Sequence, residues 1–219
     1  MAGFGVPASR PTVLELADGR TRCSWVLSAG LDPAELTAYH DAEWGTPTRD
    51  PAALFEALSL TYFENGLSWA AVFRKRDAFR RAFLGFEPAA VAAMTPGDVD
   101  RLLRDASIVR NRRKIEATVH NAGLIAASLT GPGPSFVDVV WAAAPRVQPV
   151  LRHWSDGRME RPESVELSAE LKRRGYRHVG PVVAHSFMQN VGVENGHFIG
   201  CFRAAAEPTP AAARLGPHE

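Results

Sequence analysis

The chain has 219 residues, 46% of them hydrophobic and 22% charged, ordinary globular proportions that allow a sizeable core without disulfides. Lys and Arg number 25 against 24 Asp and Glu, a formal net charge of +1. That balance excludes a strongly basic nucleic-acid coat and a strongly acidic tail protein, but not a local basic patch.

The 2 cysteines exclude a disulfide framework and suggest a reducing compartment. They are inert core residues, one bridge, or part of a mixed ligand set. Residues 1–20 mix Pro, Gly and Ser with a short apolar run and read as a loosely held N-terminal arm. They show no apolar core followed by a cleavage site, and no run of about 18 apolar residues occurs. A cytoplasmic protein with no membrane partner is expected.

Most signals after the arm are helical. Asp50-Pro51 suits an N-cap and first-turn proline, and Leu54, Leu58 and Tyr62 follow on one face widened by Phe55. Residues 68–83 carry Trp69, Val72, Phe73, Phe79 and Phe83 among Arg and Lys, an amphipathic pattern. Thr95-Pro96-Gly97-Asp98 is a cap with a carboxylate at the third helical position, ahead of Val99, Leu102 and Leu103. Residues 112–127 place Ile115, Val119, Ala122 and Ile125 on a stripe. The turn cluster that ends at Ser135 suits a loop or a subdomain boundary, and residues 136–140 fit helix or strand. Ser164 or Ser168 can start a helix ended by Gly175, and Pro181 opens another through Phe187 and Met188. The fold class expected is all-α with short loops. Residues 204–219 are Ala/Pro-rich and read as a tail.

Several residue groups could carry chemistry. His197 and Cys201 are four apart and can share a face, while Cys23 and His40 form a second pair. Together they make a Cys₂His₂ set suited to Zn²⁺, although a lone Cys is more often a small buried hydrophobe. Such a site would clip the start of the domain to its end. Trp25, Tyr39, Trp44 and Trp69 crowd the first third of the chain and suit a stacking pocket or an ordinary core. Arg110, Arg112, Arg113 and Lys114 follow the short link that starts at Asp105, where a helix–hairpin–helix could meet a phosphate; such charge runs are more often a solvated face. Asp41, Glu43, Glu56 and Glu64 are the carboxylates near the aromatic group.

These motifs occur in one order: Cys23-Ser24-Trp25; Tyr39-His40-Asp41 with Glu43-Trp44-Gly45; Gly66-Leu67-Ser68-Trp69; the 105–115 segment; Val179-Gly180-Pro181 with Ser186-Phe187-Met188-Gln189; and Gly196-His197 to Cys201. The set closely resembles the DNA-3-methyladenine glycosylase I family over roughly residues 21–203. The resemblance implies an all-α helix–hairpin–helix glycosylase fold and a structural Zn²⁺ on Cys23, His40, His197 and Cys201. It implies hydrolysis of the N-glycosidic bond of alkylated adenine in double-stranded DNA by base flipping, in base-excision repair, with a monomer as the expected form. Trp25, Tyr39, Trp44 and Trp69 match the family's base-binding aromatics. Gly66 and Leu67 match its turn and apolar plug. Ser107, Arg110, Arg112 and Lys114 would grip the phosphate.

One stretch departs from the family. Where relatives read like Leu-Glu-Gly-x-Gln-Ala-Gly-Leu-Ser-Trp, this chain has Leu60-Thr61-Tyr62-Phe63-Glu64-Asn65 before Gly66. The missing Glu is the family's pocket carboxylate, so Thr61 and Glu64 are the catalytic candidates. Thr61 carries no charge, and Glu64, three residues on, is expected to reach the pocket only if the helix end bends. Tyr62 and Phe63 add bulk there. Ser107 replaces a hairpin glycine, and His185 stands where Tyr is common. Two readings follow: an active glycosylase with a re-tuned pocket, or a divergent relative that binds DNA or a nucleobase with altered or no glycosylase activity.

Overall fold

The computed structural model describes residues 10–206. Two short antiparallel strands, β1 (Val13–Glu15) and β2 (Thr21–Cys23), pair Val13 with Cys23. A 3₁₀ turn over Ser24–Leu27 leads to the first helix. Helices α1 (Pro33–Ala42), α2 (Pro51–Glu64), α3 (Trp69–Phe73), α4 (Arg76–Ala82), α5 (Pro88–Ala92) and α6 (Pro96–Leu102) follow. A tight link then leads to α7 (Arg112–Thr130), α8 (Phe136–Ala142), α9 (Pro162–Arg173), α10 (Pro181–Asn190) and α11 (Phe202–Ala206).

Local chemistry sets the helix starts. Asp50 accepts the Ala53 N–H at 2.9 Å with Pro51 behind it. Thr95 and Asp98 form the expected reciprocal box, and Ser135 and Asp138 form another that settles residues 136–140 as helix. α9 begins at Pro162, earlier than either serine; Ser164 is its third residue and Ser168 donates to the Val179 carbonyl at 2.6 Å.

Three expectations need correction. The fold is mostly helical but not purely so, because the β1–β2 pair is present. Residues 10–20 are not a loose arm. Arg10 donates to the Ser24 carbonyl at 2.8 Å, Trp154 Nε1 donates to the Arg10 carbonyl at 2.9 Å, and β1 is paired. The rest of that arm, residues 1–9, and residues 207–219 of the tail lie outside the described residues. The loops are not all short: residues 143–161 hold no more than a 3₁₀ turn, Trp154–Asp156, and an isolated bridge from Leu151 to Phe198. The 68–83 pattern also splits into α3 and α4, because Lys75 leaves the helical region (φ −102°, ψ 1°).

Two cores result. The larger one joins α2 and α4–α10 around Phe55, Phe63, Phe79, Phe83 and Phe187, each such side chain contributing about 1.5–3 kcal/mol on burial. Tyr62 and Phe63 belong here and add no bulk to a pocket; the Tyr62 hydroxyl lies 2.6 Å from Thr118 Oγ1. The smaller core gathers Cys23, Trp25, Leu36, Trp44, Phe73, Phe198 and Cys201, so both ends of the described chain meet in it.

The turn after α1 is tied to the end of α10, with Gly45 N–H donating to the Asn190 carbonyl at 3.0 Å. Gly192 permits this closeness. Its φ is +73°, and a Cβ would stand 2.5 Å from Pro47 N and 2.8 Å from the Gly45 carbonyl oxygen. Gly192→Ala is therefore expected to cost about 3 kcal/mol, from left-handed strain plus displaced backbone. A urea-unfolding midpoint equal to wild type would contradict this.

Candidate active site

α1 carries Tyr39 and His40 side by side, and neighbours on a helix point about 100° apart. Tyr39 faces a cavity, and His40 faces a buried cluster of Cys and His.

The cavity holds about 270 Å³ where α1–α4 meet the end of α10, below the roughly 300–1,000 Å³ of drug-sized sites and so suited to one small ring system. Its aromatic wall is Tyr39, Trp69 and Phe73. Trp69 stacks on Phe73 with centroids 4.6 Å apart, and Tyr39 meets Phe73 edge-on at 5.0 Å. The α2 wall is Ala53, Ala57, Leu60 and Glu64, with Glu56 beside them. These positions share a face by helical spacing, so Glu64 reaches the cavity from an unbent helix, contrary to the sequence expectation.

Thr61 does not line the cavity. It is 3% exposed; its hydroxyl donates to the Ala57 carbonyl at 2.7 Å and accepts from Asn190 Nδ2 at 3.1 Å. Asn190 lines the cavity, and Thr61 stands behind it. Of the three carboxylates that line the cavity, Glu43 and Glu56 pair with Arg80, which leaves Glu64 as the candidate. Burial pushes its carboxyl up to about 8, with Lys114 pulling the other way. Burial, reinforced by Glu64 and Glu43, also raises the Tyr39 phenol, which stays protonated and can donate. Arg80 joins Glu56 at 2.8 Å and Glu43 at 3.3 Å, and the Arg76 guanidinium lies 4.4 Å from the Phe73 ring centroid.

Trp25 and Trp44 do not line the cavity. Both are buried behind the wall. Trp25 meets Trp69 at 6.2 Å and Trp44 at 5.2 Å, and Trp44 meets His197 at 4.6 Å, all edge-on. They connect the cavity wall to the Cys/His cluster.

In that cluster the ligand atoms of Cys23, His40, His197 and Cys201 all lie within 4.8 Å of one another. Cys201 Sγ is 3.4 Å from His40 Nε2 and 3.7 Å from His197 Nδ1, and Cys23 Sγ is 3.6 Å from His197 Nδ1. A tetrahedral ion with bonds of about 2.3 Å to sulfur and about 2.0 Å to nitrogen separates S and N by about 3.5 Å. The donor set and its spacing fit a four-coordinate metal ion. Asp41 Oδ1 lies 2.8 Å from His40 Nδ1, leaving Nε2 for the cluster, and Arg22 holds Asp41 in turn at 2.7–3.0 Å. The Cys23 thiol lowers the proton affinity of Cys201, against burial and with help from His197 and His40, while burial raises that of Cys23.

The chain matches the methyladenine glycosylase family model over residues 29–204. It belongs to the methyladenine glycosylase family. DNA-3-methyladenine glycosylase 1 of Escherichia coli (strain K12) is 40% identical over 182 residues, 82% of this chain and 95% of that protein. A crystal structure of 3-methyladenine DNA glycosylase I superposes with a TM-score of 0.76 at 38% identity, covering 85% of this chain and all 100% of that one. The Staphylococcus aureus enzyme, solved to explain 3-methyladenine recognition, gives a TM-score of 0.71 at 35% identity over 78% of this chain and 90% of that one.

In this methyladenine glycosylase the expected DNA-facing residues divide. Leu67 is 46% exposed in the turn after α2, where Gly66 has φ +82°. Ser107 and Arg110 are exposed in the link between α6 and α7. Ser107 does not need a positive φ; its N–H and hydroxyl bond to Asp105 Oδ1 at 2.8 and 2.6 Å. Arg112 is exposed and paired with Asp100 at 2.7 Å. Lys114, expected among them, is 7% exposed, and Nζ donates to the carbonyls of Phe63 at 3.0 Å and Asn65 at 2.6 Å. His185 is not in the cavity either. It sits 2.9 Å from the fully buried Glu194, which also accepts from Gln189 at 3.0 Å. Sequence reading missed Phe73, Leu60 and Asn190 as cavity residues. Phe73, four after Trp69, was the one with a readable signal. No described helix is long and apolar enough to cross a membrane.

Proposed function

We propose that this chain is a base-excision repair glycosylase that releases N3-methylated adenine from double-stranded DNA, acting as a cytoplasmic monomer. The observation that carries the reading is the small cavity walled by Tyr39 and Trp69, with the carboxyl of Glu64 inside it. Its size and aromatic faces suit one flipped base.

Methylation at N3 makes the adenine cationic and a good leaving group. As the bond from the sugar C1′ to N9 breaks, its electron pair passes to the base, which departs neutral. Water adds to C1′ and loses a proton. The protein's part is to extrude the nucleotide, stack the base on Trp69, donate to its edge from Tyr39, and set Glu64, which gives up its proton as the cation arrives, against the charged ring. Undamaged purines lack the charge that draws this carboxylate. Leu67 fills the gap left in the duplex. The link between α6 and α7 serves as a helix–hairpin–helix, in which Ser107, Arg110 and Arg112 meet the phosphate.

Cys23, His40, His197 and Cys201 would hold a structural Zn²⁺. It would bring charge neutralisation and cross-linking without an open position for water. The alternative, a divergent relative with no glycosylase activity, rested on the loss of the family's Glu at Thr61. Glu64 supplies a carboxylate from the next turn, and the named relatives are glycosylases, so it is not favoured. Incubation with methylated duplex DNA should yield free 3-methyladenine by chromatography. No release, under conditions where the E. coli enzyme works, would overturn the assignment.

A further inference from the structure

Lys114 is a buried cation with no part in the chemistry above. It is the third residue of α7, directly after the hairpin, yet its ammonium reaches carbonyls 51 and 49 positions away. Those carbonyls belong to Phe63 and Asn65, on either side of Glu64. The Glu64 carbonyl itself accepts the Leu67 N–H at 2.8 Å, and the Asn65 N–H donates to Tyr62 at 3.3 Å. The carbonyls at the end of α2, which water could satisfy, are thus held from α7. Burying an ammonium is unfavourable, and burial does lower its proton affinity. A second lysine reaches the opposite way. Lys75, between α3 and α4, donates to the hairpin carbonyls of Ala106 at 3.0 Å and Ser107 at 2.9 Å.

We propose that Lys114 is a positioning residue that couples the phosphate-gripping hairpin to the base pocket, by holding the backbone on both sides of Glu64. The proposal rests on the function assigned above. α7 and the Asn65–Leu67 turn then move as one body, and seating the hairpin on DNA also sets the direction of the Glu64 side chain. Lys75 fastens the hairpin itself, its ammonium donating to Ala106 and Ser107 and not to the carbonyls that flank Glu64.

The test uses the full chain and methylated duplex DNA, with single-turnover release, DNA affinity and thermal midpoint measured for Lys114→Met, Lys114→Arg and Lys75→Met. Lys114→Met is expected to slow release roughly tenfold, the loss of about one charged hydrogen bond, with DNA affinity within about twofold of wild type. Lys114→Arg, which keeps charge and donors, should recover most of the rate. Lys75→Met should weaken DNA binding first.

The pH profile separates positioning from plain stability. Tyr39, Glu43, Glu56, Arg76 and Arg80 surround Glu64 in the cavity and stay unchanged. Removing the Lys114 charge should move the acidic limb of the rate profile to higher pH. Should Lys114→Met not fold, Lys114→Gln carries the same test. An unmoved limb, with a rate that follows thermal stability alone, would overturn the proposal. So would a fall in DNA affinity as large as the fall in rate, which would make Lys114 a phosphate contact. If wild-type protein releases no base, the functional assignment fails and this proposal goes with it; wild-type release with an unmoved variant limb sinks only the coupling.

Discussion

Glu64→Gln should release 3-methyladenine roughly 10- to 100-fold more slowly than wild type, the loss of one charge-assisted contact worth about 1.5–3 kcal/mol. The amide keeps the shape and one acceptor but cannot meet a cationic ring with a negative charge. The same change should stabilise the free protein as pH rises. Burial lifts the Glu64 carboxyl from an ordinary 4.5 to about 8. Between those values the folded chain holds a proton that the unfolded chain has released, so wild-type stability falls across that window and levels off above it. Glutamine has no proton to lose there. Thermal midpoints of the two proteins should therefore converge near pH 4 and separate by pH 8, wild type being the lower. Parallel midpoints, or an unchanged release rate, would remove Glu64 from the pocket chemistry.

The larger structural effect is expected at Cys201. Wild-type protein should carry about one zinc per chain by elemental analysis, and Cys201→Ala should lose it together with several kcal/mol of stability. Structural zinc sites bind with about 10–16 kcal/mol, comparable to the whole stability of a domain at about 5–15 kcal/mol. The damage should spread to the cavity, because His197 packs on Trp44, Trp44 on Trp25, and Trp25 on Trp69. Tryptophan fluorescence should report that loosening before global unfolding. Wild-type stability in Cys201→Ala, or no metal in wild type, would refute the clip.

The parts legible in the sequence were those with local causes. The caps at Asp50, Thr95 and Ser135 need only three or four neighbouring residues. The Cys/His set was legible because its residue types are chemically distinctive. Other parts depended on distant partners. β1 exists because Val13 meets Cys23 across a turn, and three residues give no usable alternation. α2 has burial on two faces, one in the main core and one along the cavity. Hydrophobic spacing therefore could not tell that Glu64, and not Thr61, faces the cavity. Lys114 sits in a basic run that reads as solvated; the carbonyls of Phe63 and Asn65, invisible in a side-chain pattern, draw it inside.

The meeting of both chain ends in one small core also has a meaning in time. His40 and Cys201 touch there although 161 positions separate them. At roughly 5–20 residues per second on the ribosome, their syntheses lie on the order of 10–30 s apart. For that interval Cys23, His40 and Trp25 have emerged without the residues that bury them. The cavity, which Asn190 and Val191 help to line, is thus finished only after nearly the whole chain is made. The nascent enzyme has its hairpin before it has a complete place to put a base.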